Sequence, residues 1–232
     1  MNLPEENDYI DIHTHGAHPL PGVFSVVTLM AHEKKEPQDV AGLSYTYGIH
    51  PWYLTKDNHN EQIINVIRMA DNPLITAIGE AGFDKIKGPP PDLQRKVFEE
   101  QVYIAEEKEK PLIIHCVKAW EELIGVYKRM KPKMAWLIHG FHGKKDLAFQ
   151  LISKGFYLSL WSGFSIRPES SQLIQKLPVE KIFLETDGTG TDIKDIYTKV
   201  AGDLGVNTGE LKKQFLNNFF VFFGINRAVN GI

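Results

Sequence analysis

Short apolar runs with strand-like patterning recur along the chain at residues 9–13, 23–29, 43–48, 74–79, 112–115, 135–139, 156–160 and 182–185. Amphipathic stretches with helical spacing separate most of them. Residues 60–69 place Ile63, Ile64, Ile67 and Met69 at helical intervals, and 92–109 do the same with Leu93, Val97, Val102, Ile104 and Ala105. Residues 120–130, 144–154 and 171–177 follow the same pattern. Strands alternating with helices across short links predict a parallel sheet, and eight such units predict an α/β (β/α)8 TIM-type barrel. The early region is cramped. His18-Pro-Leu-Pro-Gly and Glu33-Lys-Lys-Glu-Pro read as loop, so the barrel is expected to be distorted, with one early helix short or missing. Helix returns after Asp187. Asn207-Thr-Gly-Glu-Leu has a capping-type start, and Leu211, Phe215, Phe219 and Phe222 form a core-facing stripe. No repeat, linker or low-complexity tract interrupts the pattern, which predicts one domain over residues 1–232.

Composition narrows the function. The chain has 232 residues, 43% of them hydrophobic, enough for one sizeable core. With 26 basic and 29 acidic residues the net charge is -3, so bulk charge would not hold nucleic acid. Such a substrate would have to be gripped locally. The single cysteine, Cys116, allows no disulfide within the chain and favours a reducing compartment. Strand alternation turns it away from the face of His115, as a small buried hydrophobe. The acidic start Met1-Asn-Leu-Pro-Glu-Glu lacks the layout of a signal peptide. The late apolar run at 219–225 falls well short of the roughly 20 residues that span a bilayer. A cytoplasmic protein without a membrane partner is expected.

Candidate chemistry sits at the downstream ends of the predicted strands: His13 and His15 in Asp11-Ile-His-Thr-His, then Glu80, His115, His139 and Asp187. Imidazoles and carboxylates leaving parallel strands at the same end can meet at one point, and this donor set suits divalent metals. The two-residue spacing of His13 and His15 aims both rings the same way, as metal ligands or as a hydrogen-bonded core pair. Glu80 could bridge two cations or be an exposed strand-end carboxylate; small neighbours let the backbone turn and another group approach. Asp187 could bind a metal and take a proton from attacking water. Asp11 and Glu185 lie deeper with matching parity and suit roles behind the ligands.

These residues resemble the motifs of the TatD-type metal-dependent hydrolases, relatives of the amidohydrolases. The likeness rests on Asp11-Ile-His-Thr-His, Gly48-Ile-His-Pro-Trp, Ile78-Gly-Glu-Ala-Gly-Phe-Asp, Pro111-Leu-Ile-Ile-His, Leu137-Ile-His-Gly-Phe-His-Gly and Phe183-Leu-Glu-Thr-Asp, with Gln94, Phe98 and Gln101 as spacer landmarks. It runs from residue 9 to about 225. The resemblance implies a two-metal site: His13, His15 and Asp187 on one ion, His115 and His139 on the other, and Glu80 bridging. It also implies a deoxyribonuclease, with DNA or another phosphodiester as substrate and zinc, manganese or magnesium as cofactor. His50 would lie near the substrate and donate to a phosphate oxygen, or be held in a turn by Pro51. Trp52 would stack on a base or wedge into the rim. The chain departs from the family on the substrate side. Lys118 stands where many relatives carry an arginine, His142 where many have a serine, and Gly188-Thr189 where Ala-Pro is expected. A metal-dependent ester, lactone or amide hydrolase is the rival reading. A non-enzymatic barrel is a third, and would be marked by a lost ligand; all six are present.

Overall fold

The computed structural model describes residues 2–16 and 18–226. Eight strands are β1 (Tyr9–Thr14), β2 (Val23–Met30), β3 (Leu43–Gly48), β4 (Ile75–Asp84), β5 (Leu112–Val117), β6 (Trp136–Phe141), β7 (Tyr157–Leu160) and β8 (Ile182–Leu184). Their order in the sheet is the order of the chain. The helices are α1 (His59–Ala70), α2 (Pro91–Glu107), α3 (Trp120–Met130), α4 (Lys145–Ile152), α5 (Ser162–Ser165), α6 (Ser171–Ile174), α7 (Ile193–Leu204) and α8 (Thr208–Phe222). Every predicted strand is found, and α3 has its predicted limits. Where a strand is covered on both faces alternation vanishes, as in the fully buried Leu112, Ile113 and Ile114 of β5.

Three expectations are corrected. Neither the β1–β2 nor the β2–β3 connection holds a helix among the described residues, where one short or missing helix was expected. And β4 does not stop at Gly79. It continues to Asp84 because β5 runs beside it, pairing Gly82 with His115 and Asp84 with Val117. The helix expected at 171–177 is a single turn, α6, behind a 3-10 turn at Pro168–Ser170.

The chain forms two compact units. The first comprises residues 28–39 and 44–138. In it β3, β4, β5 and the start of β6 pair in parallel, and α2 packs on β4. Phe98 of α2 meets Phe83 at 5.0 Å and Trp136 at 5.4 Å between ring centroids. On the same helix, seven residues apart, two buried glutamines fasten backbone. Gln94 accepts from Asp84 N–H at 2.7 Å and donates to Asp84 O, while Gln101 accepts from Ile49 N–H at 2.7 Å and donates to Ile49 O.

The second unit comprises residues 2–27, 40–43 and 139–226. There β1 pairs with β2 and β7 with β8, both in parallel. The predicted capping box is present at α8: Asn207 and Glu210 accept from each other's backbone N–H at 2.9 and 3.0 Å. With no helix between the early strands, α7 and α8 lie against β1. Phe219 of α8 meets Phe24 of β2 edge to face at 5.5 Å, and Phe215 meets Tyr197 at 5.4 Å. No helix among the described residues is long and apolar enough to cross a membrane.

Candidate metal centre

In the second unit, the end of β1 and the turn after β8 bring three predicted ligands together. His13 Nε2 and His15 Nε2 lie 3.6 and 3.4 Å from the same oxygen, Oδ1 of Asp187. His13 is fully buried and His15 partly exposed, so one edge of the cluster is open to solvent. Asp187 is aimed by its backbone. It takes a left-handed φ of +52°, and its N–H donates to His13 O at 3.1 Å. Burial pushes its carboxyl up, but the His13 and His15 imidazoles outweigh that and hold it well below the usual carboxylate range. The His139 ring packs on His13 with centroids 4.1 Å apart. Behind it Glu185 accepts from Gly140 N–H at 2.6 Å and lies 3.6 Å from His139 Nδ1.

Asp11 ties β1 to the turn after β8. Its carboxylate accepts from Thr186 N–H at 3.0 Å and from the Thr186 hydroxyl at 2.5 Å. Burial pushes its carboxyl up to about 7, in spite of those bonds. These contacts hold the backbone that carries Asp187, and the nearby His13 imidazole acts to lower the Asp11 carboxyl.

In the first unit, Glu80 is the hub. Its Oε1 lies 2.9 Å from His115 Nδ1 and 3.1 Å from His50 Nε2, and all three residues are buried. The small neighbours have the predicted purpose. Gly79 and Gly82 take φ of +147° and +149°, and a Cβ on either would strike a carbonyl oxygen of β5, that of Ile113 or His115. Asp84 emerged only from the structure. Its Oδ2 lies 3.1 Å from His115 Nε2 and accepts from the Trp52 indole at 2.6 Å; its Oδ1 accepts from Ile86 and Lys87 N–H. Burial pushes this carboxyl up, but the hydrogen bonds outweigh it and hold it down at about 2. A sequence signal existed: on a continued β4, Asp84 shares the parity of Glu80.

Among the substrate-side residues, His50 is buried and Trp52 is 41% exposed, with Lys87 Nζ 3.7 Å above its ring. Lys118 is exposed three residues past His115, at a φ of +53°. His142 is exposed, its Nδ1 2.7 Å from Gly140 O. Cys116 is half-buried, and burial pushes its thiol up to about 12, which suits an inert side chain.

The donor sets fit divalent cations. His13, His15 and Asp187, and separately His50, Glu80 and His115, each offer ligand atoms within 4.8 Å of one another. The chain belongs to the TatD related DNase family, whose model matches residues 27–224. That match starts downstream of His13 and His15. The chain is 29% identical over 147 residues to the 3'-5' ssDNA/RNA exonuclease TatD of Erwinia tasmaniensis, covering 61% of this chain and 56% of that protein. It is 28% identical over 125 residues to the deoxyribonuclease Tat-D of Schizosaccharomyces pombe, covering 52% and 40%. The matches thus span about half the length of these curated relatives. Among solved structures, the TatD homolog YJJV of Escherichia coli superposes with a TM-score of 0.75 at 21% identity, over 96% of this chain and 100% of that one. A TatD family hydrolase of Entamoeba histolytica does so at 0.75 and 16% identity, over 97% and 100%. That likeness shows the fold: eight parallel strands alternating with helices, the (β/α)8 TIM-type plan.

Proposed function

We propose that this chain is a divalent-metal-dependent deoxyribonuclease, one TatD-like domain over residues 1–232 that hydrolyses phosphodiester bonds in DNA. The observation that carries the reading is the aim of two imidazole nitrogens, on His13 and His15, at one oxygen of Asp187. Family membership supports it. In this reading His13, His15, Glu80, His115, His139 and Asp187 would hold two divalent ions, zinc, manganese or magnesium. Bound there, such ions would lower the pKa of a water so that hydroxide is available at neutral pH, and would neutralise the charge that develops on the phosphate. Asp187 orients that water and accepts its proton. His50 lies on the substrate side beside Glu80, and Lys118 faces the phosphate as a point charge. The single cysteine fits a cytoplasmic setting.

Asp187→Asn keeps the shape of the side chain and removes its basicity. It is expected to lower turnover on single-stranded DNA by about 10²- to 10⁴-fold while far-UV dichroism stays unchanged. Wild-type turnover in this variant would refute the role. The substrate-side departures at Lys118 and Gly188-Thr189 make small esters and amides the informative controls. Cleavage of those alone, with metal added, would replace the nuclease reading by the ester, lactone or amide one.

A further inference from the structure

Two imidazoles face one oxygen of Glu80, His50 through Nε2 and His115 through Nδ1. By distance alone both are ligand candidates. Their protons say otherwise. A neutral imidazole carries one N–H, so the partner of the far nitrogen decides what the near nitrogen can offer.

The far nitrogen of His50 is Nδ1, and it accepts the backbone N–H of Trp52 at 3.0 Å. It therefore carries no hydrogen, and Nε2 points an N–H at Glu80. The far nitrogen of His115 is Nε2, 3.1 Å from Asp84 Oδ2. That carboxylate already accepts from three other donors: Ile86 N–H at 2.7 Å, Lys87 N–H at 2.8 Å and the Trp52 indole at 2.6 Å. A cation held by Glu80 would need the lone pair of His115 Nδ1, 2.9 Å from the same oxygen, and the Asp84 carboxylate then takes the N–H on Nε2.

We propose that Trp52, through its two N–H groups, sorts the imidazoles around Glu80 into one ligand, His115, and one hydrogen donor, His50. The backbone N–H acts on His50 directly; the indole N–H acts on His115 by fixing the Asp84 oxygen that faces it. Trp52 and Asp84 are positioning residues, and His50 is no ligand although its nitrogen lies close enough. The inference rests on the metal reading above for the lone pair on His115 Nδ1, whereas the proton on His50 Nε2 follows from the Trp52 backbone N–H alone.

The test uses zinc as the probe and protein labelled with ¹⁵N in its histidine rings. His50 is expected to show a protonated Nε2 and a bare Nδ1, with or without zinc. His50→Gln is expected to bind zinc with wild-type stoichiometry and affinity in a chelator competition. Asp84→Asn should weaken zinc binding by about 10- to 100-fold, and Trp52→Phe, which keeps the ring but loses the indole N–H, by about tenfold. If Asp84→Asn fails to fold, Trp52→Phe decides. Loss of a zinc equivalent in His50→Gln, a protonated Nδ1 on His50, or wild-type affinity in Trp52→Phe overturns the proposal. Wild-type protein that binds no zinc, manganese or magnesium overturns the metal reading instead, and the ring nitrogen spectra still judge the proton placed on His50 Nε2.

Discussion

The hydroxyl of Tyr197 donates to Ile10 O at 3.1 Å and accepts from Ile10 N–H at 3.0 Å, holding β1 one residue ahead of Asp11. Burial lifts this phenol far above its ordinary range. The unfolded chain releases the proton near pH 10, whereas the folded chain keeps it. Above that pH the unfolded state binds fewer protons, so stability is intact below about pH 10 and falls as pH rises. Tyr197→Phe removes both hydrogen bonds and the titrating group. It is expected to lose about 1–3 kcal/mol near neutral pH and to show a shallower decline between pH 9 and 11 in urea titrations. An unchanged slope would detach the alkaline loss from Tyr197. At this scale the sequence exposed the residues that its motifs carry, His13, His15, Glu80, His115, His139 and Asp187. It hid what aims them. Thr186, which binds Asp11, lies 175 positions away, and His115 and Trp52, which meet Asp84 Oδ2, lie 31 and 32 away, beyond any local spacing rule.

Among the elements, β4 shows why a boundary was misplaced. The predicted strand stops at residue 79, where the small neighbours of Glu80 suggest a turn. Here both glycines keep the strand going, because their missing side chains let the β5 backbone come close. Gly82→Ala puts a methyl group into the His115 carbonyl at a φ that side chains rarely adopt. A loss of about 3 kcal/mol or more is expected, seen as a fall in Tm with the two-state transition retained. A neutral substitution would mean that β4 relaxes freely. By contrast α8 was legible at its start and along its core face, since its capping box and aromatic stripe are local signals. That neither connection between β1 and β3 holds a helix among the described residues was only half legible: chain length limited what could fit, but could not say that both would go.

For the molecule as a whole, alternation of strand and helix was enough to set the fold class, because that periodicity is repeated along most of the sequence. The two compact units left no mark in composition. They exchange the chain around residues 28 and 139 and in the short segment 40–43, without a linker at any crossing. A bound cation should make itself felt globally. Any ligand that prefers the folded chain adds RT ln(1 + [L]/Kd), about 2.7 kcal/mol at a hundred times Kd. Calorimetry is expected to show a lower Tm after dialysis against a chelator, restored by zinc, manganese or magnesium but not by sodium at equal ionic strength. Identical melting with and without chelator would argue against a structural hold on any ion.

The contact of Phe219 with Phe24 also has a bearing on how the protein is made. The ribosome delivers β1 and β2 first, and α7 and α8, which cover part of their apolar surface, long afterwards. At 5–20 residues per second the interval is on the order of 10–40 s. Throughout it, the nascent strands hold greasy side chains with no native cover from that side, a window in which a holding chaperone would have something to grasp.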